Sequence, residues 1–216
     1  MWIAIINTWQ IVSQLNRRLS NNQTSFINLL LKIVENPPTG TNFTFSTLQK
    51  HLFTVRKNLQ DENITARIAA IHELEQFWQK YPQYHQEVTG ILAEFIQNYP
   101  DASQSAKIPR DMQAALTVIA NNNSHQGESD EPLDLSCSDM RGANLHEANL
   151  EFSNLYHVNL AGANLSGAIL SAANLCGANL HEANLQNANL YLANLSGCTL
   201  NDTILKGTNL REAKLG

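Results

Sequence analysis

The chain has 216 residues, of which 43% are hydrophobic and 15% are charged, and its formal net charge is −5. This balance leaves no excess of Lys and Arg for binding a nucleic-acid backbone, and it is too weakly acidic to indicate a DNA mimic. No apolar run reaches the ~18 residues of a membrane span. The three cysteines cannot all pair within the chain, so the sequence favours a reducing, cytoplasmic setting.

Apolar residues recur at helical spacing through the first 120 residues. This pattern predicts an all-α domain of five or six short helices at 1–120, with several stripes stopped near prolines. Pro109 suits the first position of the last helix. The stripes are Trp2, Ile5, Ile6, Trp9, Val12 and Leu15; Phe26, Leu29, Leu30 and Ile33; Phe45, Leu48, Leu52, Val55 and Leu59; Ile64, Ile68, Ile71, Leu74 and Trp78; Val88, Ile91, Leu92, Phe95 and Ile96; and Met112, Ala115, Leu116 and Ile119.

The composition then changes. Residues 121–132 read NNNSHQGESDEP, which lacks apolar periodicity and is predicted to be a linker. From residue 133 onward, Ala, Asn, Leu, Ser, Gly and Glu dominate. The sequence therefore predicts three parts: a helical domain at 1–120, a linker at 121–132 and a repeat region at 133–216.

Every fifth residue from Leu135 to Leu215 is Leu, with Met140 as the exception. A small or medium side chain generally lies two positions earlier, and Asn or Asp usually lies one position earlier. A period of five fits neither a helix, with 3.6 residues per turn, nor a strand alternation of two. All these Leu residues can be buried if the chain turns a corner every five residues, so that four pentapeptides close one square coil of twenty.

Coils stacked about 4.8 Å apart place residues twenty apart in one column. The Leu side chains then point inward, and the Asn side chains form outward polar ladders. Gly at the second position after Leu suits a turn with unusual backbone angles. The predicted solenoid core includes Met140, Leu145, Leu155, Leu165, Leu175, Leu185 and Leu195.

Segments such as GANLHEANLEFSNL and CGANLHEANLQNANL resemble the pentapeptide-repeat family, whose motif is A(D/N)LXX. The resemblance covers 133–215 and implies a right-handed quadrilateral β-helix of about four coils after the helical domain. The segments at 67–77 and 111–119 look like those that precede the repeats in some bacterial, especially cyanobacterial, members. Some family members resemble duplex DNA and inhibit topoisomerases, but those are more acidic than this repeat region.

Candidate chemical sites are few. Two identical HEANL units begin at His146 and His181, 35 residues apart, which places the histidines on adjacent faces and nearly two coils apart. The nearest polar cluster in the helical half, at 72–75, points in different directions. Cys198 takes an inward position and Cys176 an outward one. No phosphate, zinc or nucleophile motif is present, so we predict no catalytic residue, cofactor or metal.

A group of outward-facing apolar residues is more informative than these candidate chemical sites. Under twenty-residue stacking, Phe152, Ala172 and Leu192 share a column, and Ile169 and Tyr191 lie on the same face. Contiguous exposed apolar side chains often mark interaction sites, and aromatic residues are enriched in hot spots. The sequence therefore predicts a non-enzymatic scaffold or regulatory protein that binds an unknown protein partner through these five residues.

Two alternatives stay open: a DNA mimic directed at a topoisomerase, and a membrane-surface adaptor that uses Trp2 and Trp9. The ends of a solenoid also need covering. We expect the helix at 109–120 to pack on the first coil near Leu133 and Met140. The other end shows no cap sequence, which predicts a homodimer through the last coil near Leu215.

Overall fold

The structure, a computed structural model, describes residues 53–99, 108–122 and 132–216. The apolar stripes that begin at Trp2 and Phe26 lie outside these residues, as does the part of the third stripe before residue 53. The linker predicted at 121–132 is described only at its two ends.

The helical half contains a helical segment at 53–59, α1 (Ile64–Lys80), α2 (His85–Gln97) and α3 (Arg110–Asn122). A 3₁₀ turn (Pro82–Tyr84) joins α1 to α2. The last three helices coincide with the predicted fourth to sixth apolar stripes. The side chain of Asn63 caps α1 by accepting the N–H of Thr65 at 2.9 Å.

The ends of α3 differ slightly from the prediction. The helix begins at Arg110, and the carbonyl of Pro109 accepts the N–H of Gln113 at 2.9 Å, so Pro109 directly precedes the first turn. The helix continues to Asn122, two residues into the predicted linker. There the Asn122 amide donates to the Val118 carbonyl at 2.8 Å and occupies an acceptor at the end of the helix.

A buried ion pair joins α1 to α3. Asp111 is fully buried and accepts a hydrogen bond from Arg67 Nε at 2.5 Å. The hydroxyl of Tyr99, just after α2, donates to the same carboxylate at 2.9 Å. Arg67 also donates to the carbonyls of Asp61 and Glu62, ahead of α1, so one guanidinium fixes the ends of several segments.

The repeat region forms a solenoid with a period of twenty residues. Thirteen parallel β-bridges each join a residue to the one twenty positions later, from Asp134–Asn154 to Asn194–Lys214. Between coils, Leu155 donates its N–H to the Asn174 carbonyl at 2.8 Å. Each pairing is an isolated bridge because a two-residue turn interrupts the chain after every Leu, which leaves no room for a longer strand.

We number the coils 1 to 4 (133–152, 153–172, 173–192 and 193–212). The four bridge columns define faces 1 to 4, which begin at Asp134, Asp139, Asn144 and Asn149, respectively.

The second residue after each Leu adopts left-handed backbone angles, as predicted from the glycines. Ten non-glycine residues share this conformation with the glycines, so the fold imposes it on whatever residue occupies the corner. At Gly177 an added Cβ would lie 2.5 Å from the imidazole Cε1 of His157 in the coil above, so a larger residue there would have to displace that imidazole.

The core runs without a break from the helices into the coils. Met112, Leu116 and Ile119 of α3 belong to the same buried cluster as Leu133 and the repeat Leu residues. The seven predicted solenoid core residues are between 0% and 3% exposed: Met140, Leu145, Leu155, Leu165, Leu175, Leu185 and Leu195.

Candidate interaction surface

Hydrogen-bonded Asn side chains join neighbouring coils on all four faces of the solenoid. On face 1, Asn174 donates through Nδ2 to the Oδ1 of Asn154 at 3.2 Å, and Asn194 donates to Asn174 in the same way. The same Oδ1 atoms also accept a backbone N–H from the corner, as Asn174 does from Cys176 at 3.3 Å. One Asn therefore stabilises its own turn and bonds to the coil above, which explains the residue type at this position.

Face 4 breaks this arrangement at Ile169. An isoleucine cannot accept the corner N–H or bond to the neighbouring amides, and it leaves 39% of its surface exposed. The amide of Asn189 donates to the hydroxyl of Ser171 at 2.9 Å instead. The ladder resumes below, where Asn209 donates to Asn189 at 2.8 Å. Face 4 thus exchanges ladder contacts for an exposed aliphatic side chain.

The other apolar residues predicted on this side share the same face. Phe152 and Leu192 are each 49% exposed, and Ala172 lies between them in the corner column of face 4. Backbone hydrogen bonds fix this order, since the Phe152 N–H donates to the Ser171 carbonyl and the Ala172 N–H donates to the Tyr191 carbonyl. Tyr191 is half-buried beside Leu192. The structure therefore places all five predicted interaction residues on one face.

The backbone conformation at these corners does not favour side chains as large as those of Phe152 and Leu192. Phe152 and Leu192 have φ of 58° and 60°, a left-handed conformation that suits Gly and Asn and is uncommon for bulky side chains. Large side chains held in such regions cost on the order of 1 kcal/mol or more. Unfavourable conformation, exposure and apolar character therefore coincide at both positions.

Charge is nearly absent around this surface. Between residues 152 and 201, Glu182 is the only side chain among Asp, Glu, Lys and Arg. The charged groups of the solenoid concentrate in coils 1 and 4, including Glu151 at the top of face 4 and Arg211 at its bottom. The middle of the solenoid is consequently a neutral surface of amides, small side chains and the apolar residues of face 4.

At the opposite end of the described solenoid, coil 4 is less well covered. Leu205 is 37% exposed, and Leu215, in the residues that follow coil 4, is 57% exposed, whereas Leu200 and Leu210 are partly buried. The side chains of Thr203 and Thr208 donate to the Leu180 and Leu185 carbonyls of the coil above.

The helices cover coil 1 through two glutamines that sequence reasoning missed. Gln113 on α3 donates through Nε2 to the Asn144 carbonyl at 2.8 Å and accepts the Asn144 N–H through Oε1 at 2.8 Å. Gln97 at the end of α2 donates to the Ser136 carbonyl at 3.4 Å. An exposed Gln carries no periodic signal, so the helical pattern could predict packing near coil 1 but not these contacts.

The two HEANL histidines do not converge on a common site. His146 contacts the Ser166 carbonyl through Nδ1 at 2.8 Å, and His181 contacts the Asn201 carbonyl at 3.1 Å. Each ring therefore contacts the coil below its own. Among residues 53–99, 108–122 and 132–216, no group of three or more His, Cys, Asp or Glu side chains could hold a metal ion.

The cysteines are three free thiols, of which Cys137 is exposed and Cys176 and Cys198 are half-buried. Cys198 donates to the Leu175 carbonyl at 2.9 Å from its inward position. Burial raises the pKa of the Cys198 thiol, and the backbone hydrogen bond at Ala178 opposes this shift. Cys198 therefore acts as a polar filler of the core.

Two pairs of polar side chains in the helical half are engaged locally. His72 Nδ1 lies 3.3 Å from Glu75 Oε2, one turn along the exposed side of α1. Burial raises the pKa of Glu94, although the Arg56 guanidinium at 2.6 Å opposes that shift. No helix in the described part of the chain has both the length and the apolar character needed to cross a membrane.

Comparison with known proteins identifies the repeats. A family model described as pentapeptide repeats matches residues 133–160, 159–197 and 188–216, with eight copies. No curated protein matches the chain.

Solved structures that match the chain include pentapeptide repeat proteins from several organisms. The protein alr5209 from Nostoc PCC 7120 is 27% identical, with 39% of this chain and 86% of that chain covered, at a TM-score of 0.36. Rfr23 from the cyanobacterium Cyanothece 51142 is 39% identical, with 41% of this chain and 64% of that chain covered, at a TM-score of 0.24. A protein from the Arabidopsis thaliana thylakoid lumen is 37% identical, with 37% of this chain and 63% of that chain covered, at a TM-score of 0.25.

Proposed function

Since residues 133–216 match the family model of pentapeptide repeats, we propose that this protein is a non-enzymatic scaffold or regulatory protein that binds a protein partner through face 4. The proposed architecture is a right-handed quadrilateral β-helix of about four coils, capped by a helical domain at 1–120 that a linker at 121–132 connects to it. The proposed interaction residues are Phe152, Ile169, Ala172, Tyr191 and Leu192.

One observation carries this proposal: three departures from the repeat rule that expose apolar side chains lie together on face 4, whereas Ile204, Thr199 and Lys214 depart from the rule singly on faces 3, 2 and 1. Ile169 replaces a ladder amide, while Phe152 and Leu192 occupy left-handed corners that favour smaller residues. Each change works against folding, and each adds exposed apolar surface at the same place. A protein-binding role gives these residues a common physical reason, because a partner would bury the surface that the isolated chain exposes.

The structural contacts of the polar side chains support a non-enzymatic role. The Asn ladders stabilise turns and join coils, and the two HEANL histidines contact backbone carbonyls of the next coil. These groups are engaged in maintaining the solenoid. We propose that no cofactor or metal takes part in the function.

Affinity capture from a lysate of the native cell tests the proposal. The full chain is compared with the double variant Phe152→Ser, Leu192→Ser and with Gln186→Ser, a matched outward substitution on face 3. We expect a partner that the unaltered chain and the face 3 control retain and the double variant loses. Equal capture by all three proteins would contradict the assignment of face 4.

The alternative function, a DNA mimic directed at a topoisomerase, needs acidic groups spaced along the solenoid as phosphates are along a duplex. Glu182 is the single acidic residue between 152 and 201, and Arg141, Lys206 and Arg211 intersperse the remaining carboxylates. A gyrase supercoiling assay tests this alternative, and inhibition by the purified chain would favour it over the scaffold role.

The membrane-surface alternative depends on Trp2 and Trp9, which lie outside the described residues. Flotation of the full chain with liposomes tests it, with Trp2→Ser, Trp9→Ser as the comparison. Co-flotation that requires both tryptophans would favour an adaptor at the membrane surface.

We also propose a homodimer through coil 4 and the residues that follow it near Leu215, supported by the exposure of Leu205 and Leu215. Light scattering at high protein concentration tests it, and a molecular mass that stays monomeric would contradict it. A cytoplasmic location completes the proposal because three free thiols suit a reducing compartment. Cell fractionation would check this location.

A further inference from the structure

We propose that face 4 also binds a second copy of this chain, in an antiparallel pair with a two-fold axis between coils 2 and 3. This inference rests on the proposed function in that both use the apolar residues of face 4. The proposal follows from the order of side chains along two columns. The corner column reads Phe152, Ala172, Leu192 and Glu212, and the column beside it reads Glu151, Ser171, Tyr191 and Arg211.

The two-fold axis lies in the plane of the interface and is perpendicular to the solenoid axis. It reverses the order of the coils, and each column faces the same column of the partner copy. Coil 2 of one copy then faces coil 3 of the other. Leu192 of each copy seats over Ala172 of its partner, and Tyr191 seats over Ser171. Ser171 is 7% exposed and thus recessed, whereas Leu192 is 49% exposed. Large side chains therefore meet small ones in these two columns at both central levels, while in the ladder column Ile169 of each copy faces Asn189 of its partner.

The outer levels bring opposite charges together. Coil 1 of one copy faces coil 4 of the other, so Glu151 of each copy faces Arg211 of its partner. Arg211 is exposed and Glu151 is partly exposed, and neither has an ion-pair partner in the described part of the chain. Phe152 lies over the methylene groups of Glu212 at the same level. The two-fold axis doubles each contact, so the pair carries two Glu151–Arg211 contacts.

Equal spacing of the coils makes the register possible, because side chains on both copies repeat every ~4.8 Å. Four coils of one face span about 19 Å by roughly 15 Å, so each copy would bury on the order of 300 Å². Stable specific interfaces bury about 800 Å² on each partner. The pair is therefore a weak, reversible dimer that forms at high protein concentration.

Sedimentation velocity of the full chain over a range of concentrations up to about 1 mM tests this pair. We expect Glu151→Arg and Arg211→Glu to weaken association about tenfold each, because each single variant opposes like charges twice. The double variant Glu151→Arg, Arg211→Glu restores opposite charges and should recover association. Lys206→Glu is the matched control, since Lys206 holds the same position on face 3 of coil 4.

The outcomes separate this inference from the other proposals. Recovery by the double charge reversal supports the face 4 dimer, whereas a double variant as weak as the singles overturns it. Association that is lost in Leu215→Ser but retained in Arg211→Glu also overturns it and favours the coil 4 dimer. A chain that stays monomeric yet captures another protein through Phe152 and Leu192 overturns the dimer and leaves the scaffold role intact.

Discussion

The carboxamide of Gln113 bonds to Asn144 as the backbone of one coil bonds to the next. Its Oε1 accepts the Asn144 N–H and its Nε2 donates to the Asn144 carbonyl, both at 2.8 Å. One coil further on, Asn164 makes the equivalent bonds to the Ala143 carbonyl and the Leu145 N–H at 2.9 and 2.7 Å. A single side chain on α3 thus reproduces two backbone contacts and covers part of the exposed edge of coil 1.

Gln113→Glu should destabilise the protein by about 1 kcal/mol. The carboxylate keeps the acceptor but loses the donor, and it places negative charge beside the Asn144 carbonyl. The free energy of unfolding in urea measures the effect. Gln186→Glu is the control, because the same change on face 3 alters no side-chain hydrogen bond in the described residues. Equal stability of the two variants would show that the Gln113 contact contributes nothing.

Leu175→Ala should cost about 2–5 kcal/mol of unfolding free energy. Leu175 is fully buried in the middle of the solenoid, so truncation leaves a cavity that the coils above and below cannot fill without losing their bridges. Thermal and urea unfolding measure the loss. The adjacent outward variant Cys176→Ala should unfold near the original midpoint, and a similar loss in both would contradict the assigned core position.

Arg67→Met should destabilise the helical half by about 3–5 kcal/mol. Asp111 is fully buried, and without its guanidinium partner the carboxylate keeps, within the described residues, the side-chain hydrogen bond from the Tyr99 hydroxyl. Urea unfolding, monitored through the helical circular dichroism signal, measures the change. The double variant Arg67→Met, Asp111→Leu also removes the Asp111 carboxylate and should recover part of the lost unfolding free energy. No recovery would indicate that Arg67 acts mainly through its other contacts.

Ile169→Asn should stabilise the solenoid by roughly 0.5–1.5 kcal/mol while it weakens partner capture. The new amide can accept the corner N–H of Ser171 and continue the ladder between Asn149 and Asn189. Urea unfolding and affinity capture are measured on the same preparation. A variant that is both less stable and fully active in capture would show that Ile169 serves packing and not binding.

Stability should fall as the pH rises above about 10. Burial raises the pKa of Tyr99 above its ordinary value, and the hydrogen bond to Asp111 adds to this shift. The unfolded chain therefore releases the phenol proton first, and unfolding becomes more favourable as the pH passes the ordinary value toward the raised one. Tyr99→Phe should show a shallower fall in urea unfolding between pH 9 and 11, and an unchanged slope would contradict this role.

The sequence by itself determined the twenty-residue coil. Leu at every fifth position can be buried only by a regular corner, and Asn beside each Leu is suited to a ladder, so local chemistry and period indicate one arrangement. The helices from Ile64 onward followed in the same way from apolar spacing. These features depend on contacts that repeat along the chain, and a repeated contact leaves a periodic signal.

Only the tertiary structure decided how the two parts meet. Gln113 and Gln97 are ordinary exposed helix residues until the first coil brings carbonyl groups to them, and Arg67 finds Asp111 forty-four positions later. Single contacts between distant segments occur once and have no period. The exposed fractions of Phe152, Ile169 and Leu192 likewise needed the folded chain, because a column position does not specify how much of a side chain its neighbours cover.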